Sequence, residues 1–189
     1  MAKIQIDRKK LRKLTPSKNH FAALARSIIY QQLSGKAAGT ILNRFVALFP
    51  KKVKGFPSPE AVLLMPVEKL RNAGLSGQKV SYIRDLAEKF IDGTIIPKHF
   101  PKMGDMEIRE HLLKVKGIGV WTTDMFLMFA LNRPNVLPVG DLAIRKGFQK
   151  AWKLRTMPDE KKMRTLAREF DGRHTELSLY LWHLMDEGK

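Results

Sequence analysis

Apolar residues recur along this chain at three- and four-residue steps, the spacing that lines one face of an α-helix. Phe21, Leu24 and Ile28 make one stripe, and Ile41, Phe45, Leu48 and Phe49 a second. Val80, Ile83, Ala87 and Phe90 make a third, Ile108, Leu112 and Val115 a fourth, and Trp121, Met125, Met128 and Phe129 a fifth. Ile144/Phe148/Trp152, Met163/Leu166/Phe170 and Leu177/Tyr180/Leu181/Leu184 complete the series. Polar and bent positions punctuate it: Ser58-Pro59 and Ser76 read as helix starts, Gly74 and Gly93 as stops, and residues 94–104 and 132–140 as glycine- and proline-broken connections. Alternation appears only in a brief KIQI near the start. The pattern predicts an all-α protein.

Charge adds a partner to this picture. With 35 Lys and Arg against 18 Asp and Glu in 189 residues, the formal charge is +17, and such an excess favours a polyanion, nucleic acid first. The chain has no cysteine, which excludes disulfides, thiolate zinc sites and Cys-ligated clusters, and its five histidines are scattered. No metal or cofactor is expected. The charged N-terminus lacks an apolar core behind it and no apolar run reaches about 18 residues, so a cytoplasmic protein with no membrane partner is expected.

One stretch joins two helical stripes at KGIGV, residues 116–120. Gly117 and Gly119 permit a tight reversal, and the first turn of the next helix leaves amides to face an anion such as a DNA phosphate. Ile118 would anchor the tip in the core. Alone, this is also what an ordinary helix-helix turn looks like. Further on, Asp141 precedes LAIRKGFQKAW and reads locally as a helix N-cap.

In combination these features are more specific. The run LKVKGIGVWTTDMFLMFALNRPNVLPVGDLAIR, residues 113–145, resembles the helix-hairpin-helix, proline loop and aspartate module of base-excision DNA glycosylases. SIIYQQLSGKAAGTILNRF, AGLSGQKVSYIRDLA and LSLYLWHL resemble the alkylpurine, 3-methyladenine DNA glycosylase II branch of that HhH-GPD superfamily. The resemblance implies a two-lobed helical bundle, about residues 37–137 forming one lobe and about 1–36 with 138–189 the other, and an active site in the cleft between them. It implies a monomeric, monofunctional enzyme that hydrolyses the N-glycosidic bond of alkylated bases in duplex DNA. The alternatives are a non-catalytic hairpin DNA-binding protein and a glycosylase/lyase for oxidised bases.

The same resemblance gives Asp141 a catalytic role, compatible with capping. A lysine at the second place after the hairpin tip attacks the sugar in lyase relatives; here Trp121 stands there, packing in the core or lining the base pocket, where its ring would favour a cationic base by roughly 0.5 to 2 kcal/mol. Tyr30, Met125 and Arg173 are further pocket candidates. Met125 and Arg173 stand where relatives carry aromatic residues, which leaves the preferred base open. Gln32, in a QQLS turn, is the candidate minor-groove plug or else one of a polar pair ending a helix. Lys116, Gly117, Gly119, Arg145 and Lys146 are candidate phosphate contacts.

Overall fold

A computed structural model of the chain describes residues 4–50 and 55–186. Among the described residues every regular element is helical, as the periodicity predicts. Of KIQI, residues 4–6 are described and form no strand; Ile4 and Ile6 pack against the core instead. No described helix is long and apolar enough to cross a membrane. The chain divides into two compact units, Ser17–Thr123 and the residues through Pro16 together with those from Asp124 onward.

The first unit contains α1 (His20–Tyr30), α2 (Gly35–Ala47), α3 (Pro59–Leu64), α4 (Val67–Asn72), α5 (Gly77–Ile91) and α6 (Asp105–Leu112). α5 is its centre: α1, α3 and α4 all pack against it. Leu24, Ala25, Ile28 and Ile29 of α1 and Ile83, Leu86 and Ala87 of α5 are fully buried. Each large aliphatic among them contributes about 1.5 to 3 kcal/mol through burial. Side chains cap the starts as read from sequence: Ser58 accepts from the Ala61 amide with Pro59 in the first turn, and Ser76 accepts from Lys79. Gly74 and Gly93 follow α4 and α5 with φ of 102° and 81°, conformations that favour glycine.

α7 (Val120–Met125) continues directly into a π-helical turn, Phe126–Ala130, in which the Leu131 amide donates to the carbonyl of Phe126 at 3.1 Å. The second unit then adds α8 (Leu142–Ala151), α9 (Glu160–Ala167) and α10 (His174–Asp186) around a core of Ile144, Phe148, Met163, Leu166, Phe170, Leu177 and Leu181. Gly147 lets α8 and α10 cross closely, since a Cβ there would lie 2.9 Å from the Leu181 side chain and 3.1 Å from its carbonyl oxygen.

Two expectations change. The sequence placed lobe breaks near 36/37 and 137/138, whereas α1 packs on α2 and α5 and so joins the first unit. The proline loop goes with α10 because Thr175 Oγ1 donates to the Arg133 carbonyl (2.6 Å) and accepts the Val136 amide (3.1 Å), while Ser178 Oγ donates to the Val136 carbonyl (3.1 Å). The fifth stripe is a core face only in part, with Met128 fully buried and Met125 and Phe129 half-buried. The π turn shifts the phase, burying Phe126, Leu127 and Met128 while Trp121 is 48% exposed.

Candidate active site

The hairpin between α6 and α7 assigns its two glycines different tasks. Gly117 has φ of +78°, and a Cβ on it would overlap the Tyr82 ring, so the fold itself demands glycine there. Gly119 has nothing within 4 Å of where a Cβ would stand, which leaves the outward face of the tip bare. Between them Ile118 is 5% exposed and anchors the loop as expected. Buried Asp85 accepts the Lys116 amide at 2.9 Å and stands 3.6 Å from its ammonium.

The QQLS turn is tied to this hairpin. Gln31 Nε2 donates to the Gly117 carbonyl at 2.8 Å. Lys79 Nζ donates to the carbonyls of Ile29 (2.7 Å) and Gln31 (2.8 Å), a cation on the last carbonyls of α1, and partial burial lowers its pKa. With Gln31 facing inward, Gln32 is exposed at φ +57° and Leu33 beside it is 39% exposed. Gln31→Ala strips the Gly117 carbonyl of this partner and is expected to cost about 1 to 3 kcal/mol in urea unfolding. An unchanged unfolding midpoint would show that the amide bridge does not hold the two loops together.

In the second unit Asp141 is the N-cap of α8, Oδ1 accepting the Ile144 amide at 2.9 Å. The same oxygen accepts the indole N–H of Trp182 on α10 at 3.2 Å. Trp182 stacks on Phe129 of the π turn, with centroids 5.8 Å apart and planes at 24°, and the Arg12 guanidinium lies 5.8 Å over the Phe129 ring. The Asp141 amide donates to Pro138, closing the proline loop. A half-buried carboxylate is thus held by two donors beside an aromatic wall.

Hairpin, proline loop and aspartate fall within residues 25–170, which match the family model of the HhH-GPD superfamily base excision DNA repair proteins. The chain belongs to this superfamily. Its structure superimposes on Schizosaccharomyces pombe 3-methyladenine DNA glycosylase in complex with abasic DNA with a TM-score of 0.80 and 32% identity, over 93% of this chain and 85% of that one. Bacillus halodurans DNA-3-methyladenine glycosidase gives 0.81 and 35%, over 90% and 77%. A Bacillus subtilis relative is 31% identical over 88% of this chain, which spans 59% of that relative's length.

The HhH-GPD chain distributes the residues singled out in its sequence unevenly. Tyr30 (41% exposed) and Trp121 are on the surface of the first unit, and the Tyr30 hydroxyl lies beside Gly39. Met125 is half-buried. Arg145 Nε donates to the Pro158 carbonyl at 3.4 Å, and Lys146 is exposed. Arg173 lies over the Phe170 ring and 3.8 Å from Glu176; nine residues before Trp182, it is about 13 Å away along α10. Asp124 is buried, 4% exposed, on the inner face of its helix. Trp182, Phe129, Lys79 and Asp85 have no local sequence signal. All four nevertheless fall in stretches that carry the family resemblance: Trp182 in LSLYLWHL, Phe129 in residues 113–145, and Lys79 and Asp85 in AGLSGQKVSYIRDLA.

Proposed function

We propose that the protein is a monofunctional DNA glycosylase that hydrolyses the N-glycosidic bond of alkylated bases, of the 3-methyladenine and 7-methylguanine type, in duplex DNA and so starts base excision repair. The observation that carries this reading is the Asp141 carboxylate held by the Ile144 amide and the Trp182 indole, following a glycine hairpin and proline loop in the chain. It acts as a monomer on its DNA.

An alkylated purine of this type is cationic in the nucleotide, so the C1′–N bond breaks with its electron pair going to the base and positive charge developing on the sugar. Asp141 stabilises that charge and orients water onto C1′; the water oxygen forms the new bond and loses its proton to the carboxylate or solvent. No strong general acid is required. The target nucleotide leaves the stack first, with Gln32 filling the vacated space and Gly119, Gly117, Lys116, Arg145 and Lys146 contacting phosphates. Trp121, Tyr30 and Met125 border the base. Trp121 at the lysine position supports hydrolysis over lyase chemistry.

Incubation with randomly methylated genomic DNA and mass spectrometry of the released bases tests this directly. Free 3-methyladenine or 7-methylguanine is the expected result. Duplex binding with no free base would instead indicate a non-catalytic DNA-binding protein, and a covalent adduct trapped by borohydride a lyase. Trp182→Phe keeps an aromatic ring beside Phe129 but removes the donor to Asp141. We expect single-turnover base release to fall roughly 10- to 100-fold, the equivalent of one hydrogen bond to a charged group, with little change in DNA affinity; an unchanged rate would remove Trp182 from the positioning of the carboxylate.

A further inference from the structure

The basic segment Arg8–Leu14 walls a hollow of about 690 Å3 together with Asn132, Pro134 and the start of α10. Arg8, Lys9, Arg12, Lys13 and Arg173 line it against one carboxylate, Glu176. The segment is fixed in place. Asp7 caps its short 3-10 turn by accepting the Lys9 amide at 3.0 Å, and Arg8 donates to both oxygens of Glu176, at 2.8 and 2.9 Å. Arg12 lies over Phe129, the ring that stacks on Trp182.

Glu176 is thereby engaged by Arg8, with Arg173 standing 3.8 Å from the same carboxylate. Lys9 and Lys13 have no acidic partner among the described residues. Holding several like charges along one wall is unfavourable unless an anion balances them. Leu11 leaves the turn extended, with ψ of 143°, and the chain runs on without regular structure along the hollow. Apolar Leu11, Leu14, Pro134 and Leu179 supply the other lining, suited to the deoxyribose faces of a strand.

We propose that this groove is a second phosphodiester-backbone site for duplex DNA, distinct from the glycine hairpin, and that Arg173 serves it. The identity of the occupant rests on the glycosylase reading above. Five cations lining one open groove against a single carboxylate, itself already held by Arg8, suit a partner that carries several phosphates.

The test compares wild type with the double variant Lys9→Ala/Lys13→Ala, which leaves Arg8 and Arg12 to hold the segment. Equilibrium binding to a duplex bearing an abasic-site analogue and to the undamaged duplex is measured over a series of KCl concentrations. The variant is expected to lower the slope of log K against log[KCl] by about 1 to 2, near 0.9 for each phosphate no longer neutralised. A charge-matched control, Lys161→Ala/Lys162→Ala on α9, is expected to keep the wild-type slope. An unchanged slope in the first variant, or an equal decrease in the control, overturns the proposal. Inorganic phosphate binding abolished in the variant while its duplex slope stays unchanged also overturns it, by assigning the groove a small anion. Because binding is read without catalysis, a lowered slope with no base release from wild type would sink the glycosylase reading alone. Base release with an unchanged slope would sink this one alone.

Discussion

Asp141→Asn is expected to lower single-turnover release of alkylated bases by 10²- to 10³-fold, about 3 to 4 kcal/mol at the transition state. The asparagine carbonyl oxygen can still accept the Ile144 amide and the Trp182 indole N–H, so the cap and the start of α8 persist. What the substitution removes is the negative charge beside the developing oxocarbenium. DNA affinity should therefore stay within about two-fold, because the loss falls on a step after binding. The check pairs a base-release assay with a binding titration and a thermal melt on the same preparation. Full activity in the variant would dismiss Asp141 as the catalytic carboxylate. A large drop in melting temperature would show that its main task is holding α8.

Gly117→Ala is expected to be the most damaging single methyl group in the first unit. An alanine at φ +78° costs about 1 to 3 kcal/mol in backbone strain. The overlap with the Tyr82 ring adds about 1 to 3 kcal/mol more, since Tyr82 must leave its place for the methyl to enter. For a chain of this size, each kcal/mol lowers the melting temperature by about 2 to 4 °C. The Gly117 carbonyl also holds Gln31, so the displacement should reach the QQLS turn and weaken duplex binding. Gly119→Ala is the matched comparison. With open space around it and no positive φ, it should melt like wild type and lose affinity only where DNA approaches the tip. Equal melting temperatures for the Gly117 variant and wild type would show that the tip tolerates a side chain and is not clamped by Tyr82.

The helices were largely legible in the chain because their starts and stops are local chemistry. A serine oxygen reaching an amide three residues on, or a glycine adopting positive φ, needs no distant partner. The aspartate and the hairpin were legible for a related reason: their order and spacing are themselves sequence. The stripe from Trp121 to Phe129 misled because a π turn is set by packing and leaves no periodic signature. The buried carboxylate of Asp85 behaved likewise. Its partner, Lys116, lies 31 residues away, and nothing near Asp85 in the chain announces that it supports the hairpin.

By itself the sequence determined that the protein is helical, strongly basic, free of thiol chemistry, and equipped with a glycine hairpin, a proline loop and an aspartate in succession. These are properties of composition and of contacts within a few residues, where chain connectivity alone brings the partners together. Only the tertiary structure decided that Trp182 reaches Asp141 from another helix, that Gln31 ties its turn to Gly117, and that Arg8 lays a basic segment against Glu176. Those partners are separated by 41, 86 and 168 residues. Such pairs meet because apolar faces elsewhere pack and carry the polar groups into range, a result that no local pattern encodes.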